Sequence, residues 1–278
     1  MTTAEILKGA IDTHVHSAPD VIPRKLDDVE LVGQARAAGM RALVLKCHHA
    51  CTCGRAYVLN RIFPDIRVFG GIVLNETAGG FNPKAVEAAL KMGATQVWMP
   101  TKSAANHQAH LGGRGGLTIF DGARLRGDVA VILRQIAETG AILATGHLSP
   151  EESRVLVEEA LAAGVRRISV THPEWGVTAM PVPMQQKLAS SGFVFFERCL
   201  VSTRPDLEAT VPFETLAAQI RAVGVDTTIA ATDYGLPQLP TQAEGLADFA
   251  ARLLHSGFTF AEVVRMLRDN PARLLRLG

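Results

Sequence analysis

The chain has 278 residues, with 28 Lys and Arg against 27 Asp and Glu, a formal net charge of +1, and 47% hydrophobic against 20% charged residues. That balance gives no electrostatic reason to bind nucleic acid or an anionic membrane. No apolar run approaches the roughly eighteen residues a membrane helix needs. The opening "MTTAEILKGAIDTHVH" lacks a basic segment followed by an apolar one, and three of the four cysteines are clustered rather than spread as in a disulfide scaffold. A cytoplasmic chain with reduced thiols is expected.

In chain order, short β-rich runs alternate with amphipathic stretches. The strand candidates are residues 10–16, 41–47, 67–74, 95–100, 141–147, 166–172, 193–199 and 227–233. Gly39, Gly93, Gly140, Gly164, Gly192 and Gly224 each stand just before a strand, where a helix end calls for a left-handed residue. Ser149-Pro150-Glu151-Glu152 reads as an N-cap, a first-turn proline and two acids, and Asn82-Pro83 reads similarly. Residues 102–128 are glycine-rich and predict a long loop with a short hairpin. Two more helical stretches follow Asp233. Eight such units predict a single-domain α/β chain, a (β/α)8 TIM barrel with extra C-terminal helices over 1–278, with a doubly wound sheet as the weaker alternative.

The histidines fall at the strand ends. His14 and His16 close the first strand, His147 the fifth, His172 the sixth, and Asp233 the eighth. Residues two apart on a strand share a face, so both members of the first pair can point inward. Barrel enzymes assemble their chemistry at this C-terminal mouth. Four imidazoles and a carboxylate suit one or two divalent ions. Zinc fits best, with manganese, iron, nickel and cobalt also acceptable.

The order "DTHVH", "TGHLS", "VTHPEW", "ATDYG" and "NPARLLRLG" resembles the amidohydrolase superfamily of metal-dependent hydrolases over nearly the whole chain. The resemblance implies that His14 and His16 hold the more buried metal and that His147 and His172 hold a second. It makes Asp233 both ligand and proton shuttle. It also implies a homo-oligomer. Members with two metals commonly bridge them through a carboxylated lysine or a glutamate on strand four. Here Lys102 lies just past that strand, in a loop, and Lys46 at the end of strand two is better placed.

Lys46 opens "LKCHHACTCGR". Alternation would put Val44, Lys46 and His48 on the inner face and turn Cys47 outward. A buried amine is pushed towards its neutral form, which can take up carbon dioxide as a bridging carbamate. The rival reading keeps Lys46 as an ammonium that binds a substrate anion or polarises a carbonyl. A zinc knot in this loop is disfavoured, because Cys51-Thr-Cys53 is not a CxxC pair and no second pair exists. Cys47 and Cys199 read as buried filler.

Candidate substrate contacts are Arg24, His48, Arg55, Asn106, His107, Glu174 and Tyr234. Three functions fit, in this order. The first is a hydrolase that uses a metal-bound hydroxide to cleave a C–N or C–O bond in a small cyclic amide, lactone or related ester, with catalytic roles for Asp233 and Lys46. The second is a single-metal lyase such as a decarboxylase. The third is a non-enzymatic barrel that senses metal or redox state.

Overall fold

The computed structural model describes residues 3–278. Its eight parallel strands follow one another in chain order: β1 (Ile11–Val15), β2 (Ala42–Leu45), β3 (Arg67–Phe69, resuming as Gly71–Val73), β4 (Gln96–Trp98), β5 (Ile142–Ala144), β6 (Ile168–Thr171), β7 (Val194–Cys199) and β8 (Thr228–Ala231). Each pairs with the next. The ladder is interrupted at residue 70, between the half of β3 that pairs with β2 and the half that pairs with β4. The ring closes beyond the last strand, where Asp233 N donates to His14 O and His16 N to Tyr234 O, both at 2.9 Å.

A buried carboxylate fastens that seam. Asp12 Oδ1 accepts from Thr232 N at 3.1 Å and from His14 N at 3.2 Å, while Oδ2 accepts from the Thr232 hydroxyl at 2.6 Å. Burial raises its pKa to about 7, against the pull of the Thr232 hydrogen bonds. The seam therefore carries the first and last site-bearing strands as one unit.

The outer layer is α1 (Asp28–Ala37), α2 (Cys53–Ile62), α3 (Pro83–Lys91), α4 (Gly127–Thr139), α5 (Pro150–Ala162), α6 (Val182–Ala189), α7 (Phe213–Val223) and α8 (Gln242–His255). Ser149 caps α5 in a reciprocal box with Glu152, and Asn82 caps α3. Such caps contribute about 1 kcal/mol each. The six glycines expected at helix ends all take positive φ. The inward stripe of α4 is Val129, Ile132, Leu133 and Ile136, a helical spacing that seats it on the barrel wall. Residues 102–128 hold the expected hairpin, Phe120–Asp121 with Arg124–Leu125, and also a short helix, Ala105–His110, that the glycine-rich composition did not suggest. Past α8 a last helical run, Phe260 to Leu275, places Leu274 and Leu275 against the barrel's interior cluster.

That cluster includes Ile11, Val44, Val73, Trp98, Phe195 and Ile229. Strand alternation carries the inner face upward from Val44 to Lys46 and from Phe195 to Glu197 and Cys199. The lumen thus changes from apolar at its floor to ionisable at its mouth. On β1 the pairing register shifts between Asp12 and Val15, and an irregularity of this kind re-aims side chains. It lets Thr13 and His14, adjacent in sequence, reach the same Glu197 carboxylate.

Candidate metal centre

Four side chains meet at the mouth. Asp233 Oδ1 lies 3.0 Å from His14 Nε2 and 3.0 Å from His16 Nε2, and its Oδ2 lies 3.3 Å from His172 Nε2. The three imidazoles are buried, while Asp233 keeps 17% side-chain exposure. Two of these residues arrive on unusual backbone: His172 has φ 49° and Asp233 φ 54°. A left-handed conformation outside glycine is held only where its surroundings enforce it, and it marks functional turns. Gly146, directly before His147, has φ 61°, and a Cβ there would overlap the Met99 carbonyl oxygen. A Cβ at Gly235, two residues past Asp233, would overlap the His16 carbonyl.

The donor set fits a divalent ion. Tetrahedral zinc with Zn–N bonds of about 2.0–2.1 Å spaces its ligands about 3.3 Å apart, close to the separations around Asp233. His14 Nδ1 is taken by Glu197 Oε2 at 3.0 Å, and Glu197 Oε1 accepts from the Thr13 hydroxyl at 2.6 Å. This leaves His14 Nε2 facing the centre, the carboxylate–histidine arrangement that supports metal ligands. Cys199 Sγ stands 3.6 Å from His14 Nδ1. Donor atoms of His14, His172, Cys199 and Asp233 all lie within 4.8 Å of one another.

Electrostatics follow from burial and this convergence. Burial opposes charge on His14, but Asp233 beside it holds its pKa above the ordinary imidazole value, Lys46 opposing and Glu197 assisting. Burial raises Asp233 too, yet His14 and His16 hold it well below the usual carboxylate range. Burial takes His16 down to about 3 and pushes His48, His147 and His172 well below 6.5, so these rings are neutral, as metal ligation requires.

Lys46 is almost wholly buried, with Nζ 3.0 Å from His14 Nε2 and facing the Trp98 ring at 5.9 Å. Burial lowers its pKa, with Asp233 and Glu197 opposing. It meets the centre-facing nitrogen of His14 but does not line the cavity. Lys102 does line it.

His147 meets both His107 and His172. Its Nδ1 is 3.0 Å from His107 Nδ1, while its ring centroid is 5.6 Å from that of His172. Above the centre opens a cavity of about 510 Å³, lined among others by Arg24, His48, Lys102, His107 and Trp175. Arg24 is held bidentately by Asp20, at 2.6 and 2.8 Å, and its Nη2 lies 3.3 Å from His16 Nδ1.

Four of the expected substrate contacts do not reach this cavity. Arg55 is spent on Asp28 and on the Ser17 and Pro19 carbonyls, tying α2 to α1. Asn106 donates to the His147 and Val177 carbonyls. Glu174 forms a fully buried ion pair with Arg198 at 2.9 Å. Tyr234 is 1% exposed and packs in the core beneath α8. Conversely, Glu197 and Cys199 were not anticipated; the signal was two charges in the otherwise apolar "FVFFERC". Cys51 and Cys53 are free thiols at the start of α2, outside the cluster of donors. Among the described residues no helix is long and apolar enough to cross a membrane.

The eight-stranded barrel has the same fold as solved amidohydrolases. An amidohydrolase from Pseudomonas aeruginosa superposes with a TM-score of 0.67 at 13% identity, covering 99% of this chain and 98% of that one. An amidohydrolase from Burkholderia multivorans with bound zinc gives 0.65 at 13%, covering 97% and 99%. A probable dipeptidase from P. aeruginosa gives 0.66 at 11%, covering 98% and 96%. At such identities the likeness is one of fold. No curated protein matches significantly. Residues 9–197 match DUF6282, described as a family of unknown function, and the chain belongs to that family.

Proposed function

We propose that the protein is a metal-dependent hydrolase acting on a C–N or C–O bond of a small cyclic amide, lactone or related ester. The observation that carries this reading is the convergence of three imidazoles on the partly exposed carboxylate of Asp233 at the floor of the cavity. His14, His16, His172 and Asp233 would hold the ion, with Cys199 within reach. When bound, a divalent ion polarises the scissile carbonyl and lowers the pKa of water.

The chain's own groups do the rest. Asp233 Oδ1, facing two ring nitrogens, takes the proton of the attacking water and returns it to the leaving nitrogen or oxygen. Glu197 keeps His14 in one tautomer. Trp175, Leu207 and Leu236 give the cavity an apolar wall that displaces water. Because Lys46 does not face the cavity, the metal-bridge role, as the carbamate formed from its neutral amine and carbon dioxide, fits it better than contact with substrate. Lys102 is the lysine a substrate meets.

One observation favours the single-metal lyase as the second reading. The donors gather about one point, and His147 Nδ1 is turned to His107 rather than to Asp233. The test is metal content per chain, for wild type and Lys46→Ala, followed by a lactone, amide and ester library. Two ions falling to one or none with Lys46→Ala, and turnover of a library member, support the bridged hydrolase. One ion indifferent to Lys46, with decarboxylation and no hydrolysis, replaces it with the lyase. An absence of metal after repletion with zinc and manganese defeats both.

A further inference from the structure

His48 lines the cavity, stacked on His16 with ring centroids 4.9 Å apart. Its orientation is fixed from behind by two buried residues, and the hydrogens of that network can be placed one by one. Asn75 Oδ1 accepts from two backbone groups, Thr101 N at 2.8 Å and Ser103 N at 3.1 Å. Backbone N–H groups can only donate, so the carboxamide cannot be flipped. Asn75 Nδ2 therefore donates, to the His48 carbonyl at 2.9 Å and to Thr101 Oγ1 at 2.7 Å.

The Thr101 hydroxyl, fully buried and already accepting from Asn75, has one hydrogen to place. Among the described residues its remaining partner is His48 Nδ1 at 2.8 Å. If Nδ1 carried the ring hydrogen instead, the hydroxyl hydrogen would be left unpaired away from water, a costly arrangement. Nδ1 is thus an acceptor and the hydrogen of the ring sits on Nε2. That atom has no partner among the described residues, on a ring that borders the same cavity as Asp233.

We propose that His48 is a fixed Nε2–H donor to a substrate oxygen, with Thr101 and Asn75 as the positioning residues that set its tautomer. The ligand class is any small molecule that presents a carbonyl or carboxylate oxygen above Asp233. The substrate role rests on the hydrolase reading; the tautomer does not. The same relay withdraws His48 from metal ligation, because a protonated Nε2 offers no lone pair.

Two experiments test this. The first is nitrogen NMR of histidine-labelled zinc-loaded protein, with His48 assigned by the signal lost in H48N. It should show Nε2 protonated and Nδ1 bare. Thr101→Val should mix the tautomers, and Thr101→Ser should restore the single form. The second uses the library substrate found above. His48→Asn, whose amide falls at the Nδ1 position, should lower kcat on the order of 10²-fold, the usual effect of losing one preorganised donor. His48→Gln, whose amide falls near Nε2, should recover most of that loss, and both should keep full zinc.

A His48 protonated on Nδ1 in the wild type, or equal kcat for H48N and wild type, overturns the proposal. Loss of zinc in H48Q would do so too, by making the ring a ligand. No turnover of any library member with the tautomer intact overturns the hydrolase reading and the substrate role with it, and leaves the relay standing.

Discussion

Replacing Glu197 by glutamine isolates the charge behind His14. The carboxylate is inaccessible to solvent and spends one oxygen on His14 Nδ1 at 3.0 Å and the other on Thr13 at 2.6 Å. Glutamine has the same shape. Its oxygen can still accept from His14 Nδ1, while its amide group faces Thr13, whose hydroxyl then has to turn. What disappears is the negative charge that makes the opposite nitrogen of His14 a stronger donor to a cation. Losing such an outer partner costs about 10–100-fold in metal affinity, or about 1.4–2.7 kcal/mol. The assay is zinc competition against a chromophoric chelator on demetallated protein, beside Thr13→Val, which removes the hydroxyl but leaves the carboxylate on His14. E197Q should bind zinc about 10–100-fold more weakly, while T13V stays close to wild type. Equal affinity for E197Q and wild type, with both folded, would refute the claim that Glu197 arms His14.

Three further outcomes are expected. Asp233→Asn should retain part of the metal yet lose about 10²–10⁴-fold in kcat; unchanged turnover would remove Asp233 from the proton path. Arg198→Met should destabilise by about 3–5 kcal/mol, since it strands the buried Glu174 carboxylate, and adding Glu174→Leu should restore most of the loss in urea unfolding. In the metal-free protein the pKa of Asp12 is raised from 3.8 to about 7. Between those values the folded chain holds more protons than the unfolded one, so this residue makes stability fall as pH rises. Asp12→Asn, which keeps an acceptor for both backbone groups but turns a donor to the Thr232 hydroxyl in place of the acceptor it now meets, should flatten that slope in urea unfolding across that pH range.

Much of the frame was legible because it is periodic. Strand runs, helix ends and the spacing of His147 and His172 state the barrel in one dimension, and the site residues cluster at strand ends for the same reason. What could not be read was partnership. Glu174 and Arg55 look like free charges in a sequence, and only the folded chain shows Arg198 and Asp28 beside them. Glu197 was the opposite case: a glutamate within an apolar strand needs a polar partner indoors, and His14 is that partner. Tyr234 follows a site residue, but β1 and α8 close over it. The His107 contact was unreadable because it depends on a short helix inside a stretch whose glycines suggested none.

The crowding at Gly146 and Gly235 reaches beyond this molecule. A histidine can drift in and out of a strand end by single mutations, but the residue before His147 and the second residue after Asp233 each lie against a carbonyl oxygen that leaves no room for a side chain. In a distant sequence, then, the pairs "GH" and "DxG" at these two strand ends are a more demanding signature of this mouth than its imidazoles. A chain that keeps the histidines but fills either glycine must have rebuilt the neighbouring strand, and its chemistry should be sorted separately.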